Sequence, residues 1–480
     1  SLALSLDPFT GHAGALWLIL GRVVQAVGGS MLMANSVAII TDAFPAEQRG
    51  MALGVNQISA LAGQFIGLVL GGVLADWDWR SVFWVNVPIG VIGTVWAYKS
   101  LHDNSARRPG RIDWWGNATF ALGLTALLAA ISYGIQPYGG HTMGWTNPWV
   151  LAALIGGCAV LAVFCWVETK VAEPMFRLEL FKIRAFTFGN VASLLGALGR
   201  GGLMFILIIW LQGIWLPRHG YSFESTPLWA GIYMLPMTAG FLVAGPTSGW
   251  LSDRFGARTF ATGGMLVAAG SFFWLLELPV NFSYWQFAVA LLINGVGMGL
   301  FAAPNRTGIM NSLPANQRGV GAGMSTVFSN SSMVLSIGIF FSLMITGLAS
   351  SLPHHLMAGL TANGVPHDAA ARVAQLPPVG VLFASLLGYN PIQSLLGPQV
   401  LGQLPVATQH HLTGHQFFPS LISPPFADGL GVAFGFAIAA CLIAALASAF
   451  RGGKYVHTEE PAGPDAGSVP PAELVAEGAE

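Results

Sequence analysis

An all-α polytopic membrane protein is the fold class this sequence predicts, and three observations predict it. Hydrophobic residues make up 54% of the 480 positions and charged residues only 9%, with a mean hydropathy of +0.63. A soluble domain carries about 25% charged residues, and too few polar faces remain here to cover a soluble core of this size. Apolar runs long enough to cross the hydrocarbon, about 20 residues each, recur along the whole chain. Finally, the basic residues concentrate in alternate loops, the pattern that the positive-inside rule imposes on spanning helices.

The apolar runs fall near 15–42, 51–75, 80–98, 115–135, 148–168, 185–211, 226–250, 259–280, 284–310, 321–347 and 428–450, about 11 spans. The opening SLALSL reads as the tail of a further span. Loops near 43–50, 99–114, 169–184, 251–258, 311–320 and 451–480 carry Arg49, Lys99, Arg107, Arg108, Arg111, Lys170, Arg177, Lys182, Arg184, Arg254, Arg258, Arg318, Arg451 and Lys454. The opposite loops hold Arg80, Arg218 and Arg372, while Arg22, Arg200 and Arg306 fall inside spans. The first set of loops is therefore expected to be cytoplasmic, and the C-terminus with it. Pro and Gly break up 348–427 so often that it is expected outside the membrane as a partly folded loop; were it to span, the tail would be turned outward. Residues 451–480 read as a disordered cytoplasmic tail, because they are rich in Pro, Gly and acid. Cys158, Cys165 and Cys441 lie in apolar runs and read as small buried hydrophobes.

One polar hexapeptide occurs twice, as PAEQRG at 45–50 and PANQRG at 314–319, an offset of 269. The same offset lays Gly28 on Gly297, Ala34 on Ala303, Pro45 on Pro314, Arg49 on Arg318 and Gly54 on Gly323. A recurring helix-ending turn explains the hexapeptide alone. Matched flanks and identical topology favour duplication, the footprint of a repeat-built transporter. GWLSDRFGAR at 249–258 precedes the second copy by two helices, and its partner would fall before residue 1. About three spans are therefore expected to be missing from the amino end. The expected division is 1–98 as an incomplete first half, 99–184 as a central two-helix insertion with cytoplasmic linkers, and 185–450 as a six-helix second half.

Three groups of residues carry the functional expectations. In GWLSDRFGAR, Gly249 permits close helix approach and Gly256 a tight turn, while Asp253 can pair with Arg254, Arg258 or a neighbouring helix. Such a charge cluster can latch one access state; a merely solvated basic loop is the plainer alternative. Arg22 lies inside a span with Gln25 one turn away, where a charge is costly and usually functional, unless it snorkels to the interface. Gly63, Gly67, Gly71 and Gly72 form a small-residue stripe that at minimum allows tight helix packing. Arg200, Arg306, Asn305, Gln57 and Gln212 are possible cavity residues, as are Asn56, Gln64, Asn330 and Ser331; helix–helix hydrogen bonding is the alternative for the polar ones.

These stretches together resemble the major facilitator superfamily, in its fourteen-helix drug:proton antiporter branch. The 249–258 loop resembles that superfamily's signature cytoplasmic loop. GRVVQAVGGSMLMANSVAIITDAFPAEQRG resembles its fourth-helix motif, with Arg22, Gln25 and Gly28 at the matching positions. GQFIGLVLGGVLADWDWRSVFWVNVPIG resembles the next helix pair with the exporters' antiporter motif, although Leu68 stands where the pattern usually has Pro. The resemblance implies the major facilitator fold, with two six-helix halves and two central helices. It implies a proton-transfer role for Arg22, an export-direction role for the glycine stripe, and a coupling Asp in a first helix, which would lie in the segment expected to be missing from the amino end. Asp42, Glu168 and Glu277 are the visible acids near spans, all close to helix ends.

The expected activity is proton-coupled efflux of a small amphipathic or drug-like compound by alternating access at the cell membrane. The expected partners are a small-molecule substrate and the lipid bilayer, with no nucleic acid; the proton serves as coupling ion and no cofactor is expected. An exporter of an endogenous metabolite or lipid-like molecule stays open, as does a non-transporting sensor or assembly partner. Primary transport is not expected, because there is no GxxxxGK[ST] phosphate loop. An enzyme is not expected, because all eleven histidines fall in loops or the tail and leave no metal or nucleophile cluster at membrane depth.

Overall fold

A computed structural model of the chain describes residues 1–43, 56, 59, 63, 66, 67, 70–74, 77–101, 113–314, 317–388 and 390–452. The span expected at 51–75, the PAEQRG copy, part of the PANQRG copy and the tail beyond 452 lie mostly or wholly outside the described residues. Among those described, ten helices are long and apolar enough to cross a membrane, or eleven if one bent pair counts as a span.

Helix boundaries follow the apolar runs closely. The first half contributes α1 (Gly11–Ala43) and α2 (Ser81–Ser100), and the central pair is α3 (Trp114–Gly134) and α4 (Pro148–Glu168). Local chemistry sets the starts of the central pair. Asp113 Oδ1 accepts the Gly116 N–H at 2.7 Å, and Asn147 Oδ1 accepts the Trp149 N–H at 2.9 Å, with Pro148 in the first turn; each side chain satisfies a donor that the helix leaves free. The second half follows with α5 (Arg184–Trp210), α6 (Thr226–Tyr233), α7 (Leu235–Phe255), α8 (Ala257–Glu277), α9 (Tyr284–Asn311) and α10 (Arg318–Ala362). Under the 269-residue shift, Ala43 at the end of α1 falls on Ser312, one residue past the end of α9.

Glycines let α9 lie between α7 and α8 with backbone against backbone. A Cβ on Gly295 would strike the Met237 carbonyl of α7, and one on Gly299 would stand 2.9 Å from Ala244 Cβ. On the opposite face, a Cβ on Gly297 would stand 2.6 Å from the Ala268 nitrogen of α8. Close approach of this kind replaces the hydrophobic drive that lipid does not supply. Serine ties α10 to α5: Ser336 Oγ accepts the Gly202 N–H at 2.9 Å and donates to the Leu198 carbonyl. Trp210, Phe282, Phe287 and Phe434 pack together in the core, with Trp210 and Phe282 ring centroids 4.9 Å apart.

The central pair closes on itself at Gly123 and Gly157, where a Cβ on Gly157 would lie 3.0 Å from the Gly123 carbonyl. It meets the second half through Phe120, Phe164 and Phe176, the last 5.6 Å from Phe328 of α10. Exposed aromatics mark the helix ends: Tyr98 near the end of α2, Trp114 and Trp115 opening α3, Trp149 opening α4 and Trp285 opening α9. That distribution is what headgroup-level anchoring requires.

The expectation of a partly folded loop at 348–427 is corrected here. α10 runs on through Pro353 to Ala362, and the last helix, α15 (Phe417–Ala449), starts eleven residues earlier than expected and contains Pro424 and Pro425. At 45 residues, α10 is about 68 Å long and outreaches a hydrocarbon layer of about 30 Å. Four short helices, α11 (His367–Ala374), α12 (Pro378–Leu386), α13 (Ile392–Leu401) and α14 (Val406–Thr413), lie between α10 and α15. α11 and α12 turn through 87° where they join. Leu356, Leu360, Val373, Val381, Leu396 and Leu412 are buried in one core with the second-half helices. The prolines interrupt the hydropathy pattern without ending the helices, and the short elements bury their apolar faces on the bundle. Where α5 ends, the π-helical turn Leu211–Trp215 frees the Gly213 carbonyl, which accepts a 2.7 Å hydrogen bond from Ser385 Oγ of α12. Such π turns interrupt the regular ladder, and here the segment between α10 and α15 satisfies the break.

Candidate transport site

Arg22 sits at the middle of the apolar segment Gly11–Leu32 of α1, about 16 Å along the helix from its start. Arg22 Nη1 donates to Gln25 Oε1 at 3.0 Å, and its guanidinium lies 4.9 Å from the Phe83 ring centre. Gln25 Nε2 in turn donates to Ser1 Oγ at 2.9 Å. The i, i+3 spacing places both polar heads on one face, and the Phe83 ring supplies a further partner for the cation. Gly28, one turn further, has open space where a Cβ would stand.

Around Gly63, Gly67 and Gly71 no described residue lies within 4 Å of a Cβ position, whereas a Cβ on Gly72 would lie 3.1 Å from Leu228 Cα of α6. Arg200 is half-buried in α5, with its guanidinium 5.9 Å from the Phe241 ring centre of α7. Gln212 lies half-buried in the π turn, and Arg306 is exposed on α9. Asn305 is corrected: it is 2% exposed and donates to the Gly189 carbonyl at 3.1 Å and to Ser193 Oγ at 2.6 Å. It ties α9 to α5, and neither of the two cavities below is lined by it among the described residues. Gln57 lies outside the described residues.

In the 249–258 loop, Gly256 closes α7 at φ +88°, a conformation that suits only glycine, and its N–H reaches the Ser252 carbonyl at 2.8 Å. Gly249 approaches Ala303 of α9, with a Cβ 3.7 Å away. Arg254 stacks on Trp250 at 4.6 Å, and Arg258 is exposed. The Asp253 side chain lies outside the described residues, so the ion pair expected of it does as well. Sequence reading missed Arg451, which counted there only as a loop charge. It is 5% exposed, its Nη2 donates to the Asn305 carbonyl at 3.5 Å, and its Nε and Nη1 have no hydrogen-bond partner among the described residues. Burial pushes its pKa down to about 10. A basic residue immediately after a long apolar run was the only available signal.

Two cavities stand apart from Arg22 and Arg200. One of about 660 Å³ is an open apolar groove between Leu74, Trp77 and Trp84. The other, about 400 Å³, lies between the outer end of α5 and the 363–416 segment and is lined by Tyr221, Glu224, Asn390 and His415.

A bundle of helices long and apolar enough to cross a membrane suits several transporter families, and sequence comparison decides among them. The family model for the Major Facilitator Superfamily matches residues 1–337, well over half of the chain.

The chain belongs to the major facilitator superfamily.

It is a multi-pass membrane transporter of that family and not an enzyme. Among curated relatives, it is 28% identical to a multidrug transporter protein of Bacillus subtilis, over 82% of this chain and 70% of the relative. It is 29% identical to a methyl viologen resistance protein of Salmonella typhimurium, over 76% of this chain and 72% of the relative. A riboflavin transporter of Clostridioides difficile is 28% identical over 74% of this chain and 75% of its own length.

Proposed function

We propose that this chain exports small amphipathic or drug-like compounds in exchange for protons, by alternating access at the cell membrane with its C-terminus in the cytoplasm. The observation that carries the reading is the Arg22–Gln25 pair at mid-span in a chain similar to multidrug transporters. Arg22, with Gln25 and Gly28, takes the proton-coupling role. The proton is the coupling ion, and no cofactor takes part. Gly63, Gly67, Gly71 and Gly72 form the stripe along which the first half closes, and the 249–258 loop carries the cytoplasmic latch. Arg200 and Arg306 are the charges nearest to a substrate path.

The substrate class is open to a direct test, because relatives carry names for both a toxic organic compound and a metabolite. Cells lacking their own exporters are expected to survive about tenfold more methyl viologen when they express the full-length gene, with riboflavin release unchanged. The reverse pattern, riboflavin release without protection, would assign the chain to metabolite export instead.

A further inference from the structure

Two buried carboxyl groups meet at one end of the central helix pair, and the transport reading uses neither of them. Asp113, which caps α3, is 8% exposed, and Glu168, the last residue of α4, is 4% exposed. One oxygen of each is held by backbone: Asp113 Oδ1 accepts the Gly116 N–H at 2.7 Å, and Glu168 Oε2 accepts the Phe176 N–H at 2.8 Å. The remaining oxygens, Asp113 Oδ2 and Glu168 Oε1, are buried without a hydrogen-bond partner. Both point at the same small space, the one that a Cβ on Gly116 would fill. Any side chain larger than that of glycine at 116 would push them apart.

No cation balances the two groups among the described residues. α3 carries no charged side chain, and Glu168 is the only one on α4. The link that follows α4 holds Lys170, Arg177 and Lys182, while α5 opens on Arg184 and α10 on Arg318, and neither orphan oxygen bonds to any of them; Arg107, Arg108 and Arg111, on the stretch before Asp113, lie outside the described residues. Two carboxylates this close and this dry do not both stay charged, because each loses its hydration and each repels the other. A single proton resolves the conflict, turning one orphan oxygen into a donor and the other into its acceptor.

We infer that Asp113 and Glu168 form a proton-binding site, holding one proton between Asp113 Oδ2 and Glu168 Oε1 where the central helix pair meets the link to the second half. The site has a structural consequence. Glu168 fixes the Phe176 backbone, and the Phe176 ring lies 5.6 Å from Phe120, 5.4 Å from Phe164 and 5.6 Å from Phe328. With the proton bound, the link is clasped between α3, α4 and α10. When the proton leaves to water, the two charges repel, Glu168 turns outward and Phe176 loses its anchor. The clasp is therefore complete at low pH and is lost as pH rises through the ionisation of the pair. The inference stands whatever compound the chain exports.

Infrared spectroscopy of the purified full chain in lipid nanodiscs tests it. At neutral pH the protein is expected to show a protonated-carboxyl C=O band that disappears in Glu168→Gln and, separately, in Asp113→Asn. Each amide supplies its own donor and leaves the other carboxyl ionised, so the fold is expected to hold while the band is lost. In the wild type, the band is expected to fade on alkaline titration together with a fall in Tm, and the Tm of Glu168→Gln is expected not to follow pH over that range. Absence of the band in the wild type, or its survival in both variants, would overturn the site. A wild-type Tm unmoved while the band fades would remove the clasp.

Discussion

Alanine in place of Gly295 is expected to lower the unfolding free energy of the purified protein by about 3 kcal/mol, the upper end of what overpacking costs. The reason lies in the crossing of α7 and α9. The added methyl group would meet the Met237 carbonyl, a backbone atom that cannot rotate away, and a Cβ here also crowds the Phe241 nitrogen at 3.0 Å. Relief requires moving α7, and α7 carries Gly240 against the Leu292 carbonyl of the same crossing. Gly263 on α8 provides the control, since nothing lies within 4 Å of its Cβ position; alanine there is expected to change stability by less than about 1 kcal/mol, in the stabilising direction that helix propensity favours. Thermal or denaturant unfolding in detergent measures both. Equal effects at the two positions would refute the backbone contact.

Removing the Arg22 side chain is expected to leave the fold in place and to lower gradient-driven efflux by roughly tenfold or more, which corresponds to about 1.4 kcal/mol. Arg22 is exposed on α1 and makes two contacts, to Gln25 and to the Phe83 ring, so its loss opens no cavity in the core. A charge at mid-span is retained at a cost, and function is the usual reason. Arg22→Lys keeps the charge but not the planar fork that reaches Gln25 while facing Phe83, so it is expected to fall between wild type and Arg22→Ala. Efflux unaffected by either substitution would remove Arg22 from the mechanism.

Much of this fold was legible in the sequence because lipid demands long uninterrupted apolar helices. Runs at 148–168 and 284–310 became helices Pro148–Glu168 and Tyr284–Asn311. The same logic misread 348–427, since proline breaks a hydropathy window more reliably than it breaks a helix supported by neighbours; Pro353, Pro424 and Pro425 all lie inside helices. Polar site residues were harder still. Asn305 and Arg306 are adjacent in sequence, yet Asn305 is buried on Gly189 and Ser193 while Arg306 is exposed. One residue is about 100° of helical rotation, and nothing in the local sequence says which face meets α5. The Asp113–Glu168 pair was illegible for another reason: one residue opens α3 and the other ends α4, far apart in sequence, and they meet only when Gly123 and Gly157 bring those antiparallel helices together.

Export driven by the proton gradient is the central claim, and inverted membrane vesicles test it most directly. Vesicles carrying the full-length protein and energised to an acidic interior are expected to accumulate a lipophilic organic cation, to stop when a protonophore collapses the gradient, and to acidify less while substrate is moving. Accumulation at the same rate with and without the gradient would contradict the account.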